Sequence, residues 1–197
     1  FDFIKNNISE KNDQELVKLA LGNQEYYGYL IQRYQDKLKR YITRLSGGRQ
    51  EDANDILQDV FIKVYKNLND FDLDLKFSSW IYRIAHNETI TFLRKINRRP
   101  TTYNFELDAV LVKNLKAELN VDVEKEIDQK IMAEDVSKII SSLDKKYQDV
   151  LLLRYMEDKD YSEISDILKK PPGTVATLLR QAKDQFKKEI AKNSHFS

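Results

Sequence analysis

Seven apolar residues in the stretch EDANDILQDVFIKVYKNL (51–68), namely Ala53, Ile56, Leu57, Val60, Phe61, Val64 and Leu68, recur at intervals of mostly three and four. That is the period of an α-helix with one buried face. It leaves Asp52, Asp55, Asp59, Lys63 and Lys66 off the stripe. A chain that repeats this pattern hides its apolar faces by packing helix on helix, and this one repeats it almost throughout. Caps and periodicity predict helices over Asp13 to Leu21, ended by Gly22, and over Gln24 to Leu45, ended by Gly47 and Gly48. Further helices are predicted over Val123 to Ser142, Asp144 to Tyr155, Asp160 to Leu168 and Pro172 to Ala191. Asp160 with Glu163 has the spacing of a capping box. Five Gly and three Pro in 197 residues leave little room for tight turns, and no alternating strand-like segment stands out. The predicted class is all-α.

Residues 76–99, KFSSWIYRIAHNETITFLRKINRR, read as one helix with two different faces. Counting about 100° per residue, Phe77, Trp80, Ile81, Ile84, Ala85, Phe92, Leu93 and Ile96 form a broad apolar arc. Arg83, Asn87, Thr91, Arg94 and Arg98 fall together outside it, within roughly 80° of one another. Guanidinium groups clamp phosphates and an amide reads exposed base edges, so this face suits nucleic acid. A basic solvated face would show the same residues.

Charge divides the chain. Residues 76–103 carry six basic residues against one acid, 104–135 carry four against nine, and 168–197 carry seven against two. Two basic blocks therefore flank an acidic one, with Arg99, Pro100, Thr101 and Thr102 marking the first break. The layout predicts domains over 1–99 and 131–197 joined by an acidic linker over 100–130. With 41% apolar and 33% charged residues the composition is that of a globular protein. The chain has no Cys, which rules out disulfides, thiolate nucleophiles and Cys-based metal sites, and fits a reducing cytoplasm. No apolar run approaches the roughly 18 residues a membrane span needs, and nothing looks like a cleavable signal. The lack of an initiator Met suggests that the chain is trimmed.

The stretch DYSEISDILKKPPGTVATLLRQAKDQFKKEI (160–190) reads as a short helix, a turn through Lys169 to Gly173, and a longer helix from near Thr174 with a basic tail. This is the logic of a helix-turn-helix. Ile164, Ile167, Leu168, Val175, Leu178, Leu179 and Phe186 would form its core. Thr174, Thr177, Arg180, Gln181 and Lys183 would then project towards a major groove, although an ordinary helical hairpin has similar periodicity. Catalysis finds little support. His86 and His195 are the only histidines and neither has metal-ligand spacing, no Gly-rich phosphate loop exists, and the carboxylates are dispersed. His86 reads as an exposed or capping residue. No metal and no cofactor is expected.

Taken in order, DQELVKLALGNQEYYGYLIQRYQDKLKRYI, EDANDILQDVFIKVYKNL, FSSWIYRIAHNETITFLRKINRR and SLDKKYQDVLLLRYMEDKDYSEISDILKKPPGTVATLLRQAKDQF resemble the successive blocks of a bacterial sigma factor of the extracytoplasmic-function group. The resemblance covers nearly the whole chain. It implies a sigma region 2 domain that docks on core RNA polymerase and opens the minus-ten element, and a sigma region 4 helix-turn-helix that reads the minus-thirty-five element. It also implies polymerase contacts through the β′ clamp and the β flap, promoter DNA as ligand, and an anti-sigma factor as partner.

Carried over by residue, Asp55, Gln58 and Asp59 match the positions that meet the β′ clamp, Asp59 standing where Glu is more usual. Asn87 matches the position that contacts an unstacked base, and Arg83, Arg94, Arg98 and Arg99 would hold phosphates. Trp80 matches a family Trp, and its place in the apolar arc favours core packing over base stacking. After Gly173, Thr174 and Val175 the family usually has basic residues, whereas this chain has Ala176, Thr177 and Leu178. Thr174, Thr177, Arg180, Gln181 and Lys183 remain as readers, with Lys187 and Lys188 for the backbone and Lys169 and Lys170 adding charge in the turn. The acidic linker would thread the polymerase's RNA-exit channel or serve as a plain spacer. A dimeric helix-turn-helix regulator working without polymerase, and a helical interaction protein, are the competing readings.

Overall fold

A computed structural model describes residues 10–96 and 129–192, with side chains of the second stretch described from Glu134. Every regular element among the described residues is helical. The chain divides into two compact units, residues 1–99 and 100–197.

The first unit contains α1 (Asp13–Gly22), a 3₁₀ turn (Gln24–Tyr26), α2 (Tyr27–Leu45), α3 (Gln50–Lys66), a second 3₁₀ turn (Leu68–Asp70) and α4 (Phe77–Lys95). Helix α1 begins with a capping box: Asn12 Oδ1 accepts from the Glu15 N–H at 2.9 Å, and Glu15 Oε2 accepts from the Asn12 N–H at 2.9 Å. The helix includes Gly22 and stops at Asn23, which turns to extended backbone and caps the 3₁₀ turn through its own side chain. The predicted helix over Gln24 to Leu45 is thus a 3₁₀ turn followed by a helix.

Helix α2 buries Tyr27, Leu30, Tyr34, Leu38, Tyr41, Ile42 and Leu45, spaced three and four apart apart from the adjacent pair Tyr41 and Ile42. Gly47 and Gly48 end its run with φ of 75° and 88°, a left-handed conformation that glycine adopts without the Cβ penalty. Asp13 fastens α1 to α2, pairing with Arg33 at 2.9 Å and accepting the Tyr34 hydroxyl. Helices α2, α3 and α4 pack mutually. Of the apolar positions predicted over 51–68, Ala53, Ile56, Val60 and Val64 on α3 and Leu68 in the following 3₁₀ turn are buried, and Leu57 and Phe61 are half-buried.

On α4 the buried row is Phe77, Ile81, Ala85, Thr89 and Leu93, with Ser79 and Tyr82 beside it. The predicted arc is therefore shifted: Trp80, Ile84, Phe92 and Ile96 are only half-buried, while Tyr82 and Thr89 go inside. Thr89 is tolerated there because its hydroxyl donates to the Ala85 carbonyl at 2.7 Å. Trp80 packs against Phe71 and Phe77 at centroid distances of 5.1 and 5.7 Å. Phe77 also meets Phe71 and Tyr34 edge-on.

The second unit contains α5 (Gln129–Ser142), α6 (Lys145–Leu151), a π turn (Leu152–Met156), α7 (Tyr161–Leu168) and α8 (Pro172–Lys192). Residues 100–128 of the predicted linker, with the start of the predicted Val123 to Ser142 helix, lie outside the described residues, whereas Gln129 and Lys130, placed in the linker by the charge pattern, open α5. Gln148, 1% exposed, donates to the carbonyls of Ser141 and Leu143 and so closes the end of α5. The predicted helix over Asp144 to Tyr155 widens after Leu151, where Glu157 N–H reaches the Leu152 carbonyl at 3.2 Å. Val150, Leu151, Leu152 and Leu153 are all buried, so packed neighbours cover this stretch of helix on all sides. Helix α7 opens with the predicted Asp160 and Glu163 capping box. It ends at Lys169, which is left-handed at φ 53°, and the Ser165 hydroxyl donates to the Lys170 carbonyl to hold the turn. Helix α8 packs on α6, α7 and α5, burying Val175, Leu178, Leu179, Ala182, Phe186 and Ile190.

Candidate nucleic-acid interface

Burial of the Phe77 to Leu93 row turns the opposite stripe of α4 outward. Arg83 is half-buried, and Asn87, Thr91 and Arg94 are exposed along one line. Arg98 and Arg99 lie outside the described residues. Asn87 stands between two side chains that fasten the helix to its neighbours. His86 Nδ1 shares a 2.9 Å hydrogen bond with the hydroxyl of buried Tyr41 on α2. Glu88 pairs with Lys63 on α3. His86 is therefore half-buried and bonded, not the exposed or capping residue its sequence context suggested. The amide of Asn87 is thereby presented from backbone held on two sides, so the backbone needs no ordering when the side chain meets a partner.

Neither anchor is evident from local sequence. Glu88 carried a faint signal as the one acid in a basic stretch. The partner of His86 lies 45 residues away and has no local trace.

Asp55, Gln58 and Asp59 are exposed on α3, on the side away from Ile56 and Val60. Ile62, 45% exposed, continues that face three residues beyond Asp59. Tyr65 follows at 43%, its ring edge-on to Tyr27 at 5.2 Å. The Tyr27 hydroxyl donates to the Phe61 carbonyl at 2.6 Å, and burial pushes its pKa well above the usual phenol value. The face thus combines two carboxylates, an amide and an uncovered apolar side chain. Ile62 and Tyr65 lay off the predicted stripe and were missed.

In the second unit Thr174, Thr177 and Arg180 are exposed on the opening turns of α8. The Thr177 hydroxyl donates to the Gly173 carbonyl at 2.8 Å, which leaves it an acceptor towards solvent. Arg180 lies 3.7 Å from Asp184 in an exposed pair, a contact worth little in water. Gln181 is half-buried and its Oε1 accepts the Tyr147 hydroxyl at 3.3 Å. Lys183 is half-buried at the other border of the exposed face, and Lys187 and Lys188 are exposed further along. Lys169 is exposed in the turn and Lys170 half-buried. Among the described residues no cluster of His, Asp and Glu could hold a metal ion, and no helix is long and apolar enough to cross a membrane.

Two family models match: Sigma-70 region 2 over residues 30–99, and Sigma-70, region 4 over residues 133–186. The ECF RNA polymerase sigma factor SigW of Bacillus subtilis (strain 168) is 31% identical over 192 residues, covering 90% of this chain and 95% of the relative. The fold is similar to that of CnrH in its complex with the cytosolic domain of CnrY, with a TM-score of 0.64, 22% identity and coverage of 92% of this chain and 99% of that one. It is also similar to the sigma factor RpoE in complex with the anti-sigma factor NepR from Bartonella quintana, with a TM-score of 0.58, 15% identity and coverage of 84% and 96%.

Proposed function

Because the chain belongs to the extracytoplasmic-function (ECF) family of RNA polymerase sigma factors, we propose that its two exposed helix faces divide promoter reading between them. The chain works as a sigma factor, binding core polymerase and promoter DNA, and leaves the chemistry of transcription to the polymerase. Asn87 takes an unstacked base of the minus-ten element, where an amide offers both a donor and an acceptor. Arg83, Arg94, Arg98 and Arg99 hold the phosphates around it. Asp55, Gln58 and Asp59 oppose the basic β′ clamp, with Ile62 as the apolar member of that contact. Thr174, Thr177, Arg180, Gln181 and Lys183 face the minus-thirty-five element, and the second unit meets the β flap. The domains run over 1–99 and 131–197.

The observation that supports this best is the anchoring of α4 on both sides of Asn87, by His86 to α2 and by Glu88 to α3. A solvated basic face has no need of it. The protein acts in the cytoplasm and is held inactive by an anti-sigma factor, as the structural neighbour RpoE is bound by NepR. Run-off transcription with purified core polymerase on a promoter library tests the reading. Initiation from a defined subset of promoters is expected, and core-dependent initiation that ignores the minus-ten bases would refute the role of Asn87.

A further inference from the structure

Gln181 follows Thr177 by four residues and Thr174 by seven, so the three share a line along α8. A free glutamine at such a place pairs with adenine by both ends of its amide, donating to N7 and accepting from the N6 amino group. Here the carbonyl end is engaged. Tyr147 of α6, 5% exposed, donates its hydroxyl to Gln181 Oε1 at 3.3 Å. The phenol has little freedom to let go: Tyr147 is buried, and the Lys146 ammonium lies over its ring, 4.8 Å from the centroid.

We infer that Tyr147 is a positioning residue for upstream promoter reading, holding the Gln181 carbonyl towards α6 and its amino group outward. The helix then offers the base a donor only. Guanine, with acceptors at both N7 and O6, satisfies that donor, whereas adenine places its own amino group where the carbonyl has been withdrawn. The discrimination is made by an inward-facing residue that never touches DNA. It rests on the assignment of α8 to the minus-thirty-five element.

The test is selection on promoters randomised across the upstream element, using full-length chain assembled with core polymerase, for wild type, Tyr147→Phe, Gln181→Ala and the double variant. Tyr147→Phe keeps the ring and its packing and removes only the hydroxyl. Wild type is expected to favour guanine over adenine at one upstream position, and Gln181→Ala to level that position. Tyr147→Phe should raise adenine relative to guanine there by roughly fivefold, the worth of one hydrogen bond. Minus-ten preferences should stay unchanged, and Tyr147→Phe should add nothing on the Gln181→Ala background. If Tyr147→Phe leaves the profile as in wild type or lowers all promoters evenly while Gln181→Ala levels the position, the positioning role is overturned and the assignment of α8 stands. If Gln181→Ala leaves the upstream profile intact, or wild type favours adenine at that position, Tyr147 loses its proposed role with it. Absence of any upstream preference in wild type would overturn the assignment of α8 itself.

Discussion

The two helices proposed to meet promoter DNA, α4 and α8, are of similar length and both end in basic residues, yet they hold their exposed faces in different ways. Helix α4 is packed on two helices through a row of apolar side chains, and polar anchors fix it on either side of Asn87. Helix α8 opens with Thr174, Ala176 and Thr177 exposed, one hydroxyl already bonded to its own backbone, and its lysines follow two turns later. A backbone anchored before binding has little left to order on meeting a base, while scattered cations contribute affinity without base identity. The contrast teaches that base discrimination should be concentrated in the first unit, and that the second should contribute mostly salt-sensitive attraction with one ordered reader, Gln181.

The largest effect should come from the packing behind α4. Phe77→Ala removes the ring that touches Tyr34, Phe71 and Trp80, and large-to-small changes of this kind cost about 3–5 kcal/mol. Thermal melting should show the first unit destabilised, with minus-ten single-strand binding lost and upstream duplex binding kept. Equal loss of both would break the comparison. Next comes docking. Asp55→Lys with Asp59→Lys leaves the buried stripe intact and places like charge against a basic clamp, lowering core affinity by about 2–4 kcal/mol. Core pull-down should fall while binding to free minus-ten single strand holds, since neither substitution touches the exposed face of α4.

Asn87→Ala should then cost about 1–3 kcal/mol of base discrimination on minus-ten oligonucleotides with each base varied. Arg94→Ala should weaken all sequences about equally. If base preference survives Asn87→Ala, α4 is no more selective than α8. The smallest effect sharpens the other side. Ala176→Arg adds a cation to the bare opening turn of α8, and upstream affinity should rise by about 1 kcal/mol or less, with the slope of log affinity against log salt steeper by about one. An unchanged slope would mean that Ala176 does not face the phosphates.

Local periodicity was enough to determine the class, most of the helices and the cores of α3 and the helix-turn-helix, because an apolar residue every third or fourth position has one way to be hidden. The Asp160 and Glu163 cap was legible for the same reason: both of its hydrogen bonds close within one turn. Ordered motifs also carried the family, confirmed by the match to regions 2 and 4. What lay beyond reach was everything set by how one helix is rotated against another. The buried row of α4 is turned from its most apolar arc, taking in Tyr82 and Thr89 and leaving Phe92 half outside, since the faces of α2 and α3 decide which side is covered. Tyr41 with His86, Lys63 with Glu88, Asp13 with Arg33 and Tyr147 with Gln181 are separated by 20 to 45 residues. Each pair exists only because packed helices bring one particular turn beside another. Four consecutive apolar residues at Val150 to Leu153 are likewise visible in the chain, but that all four are covered depends on the helices packed around them.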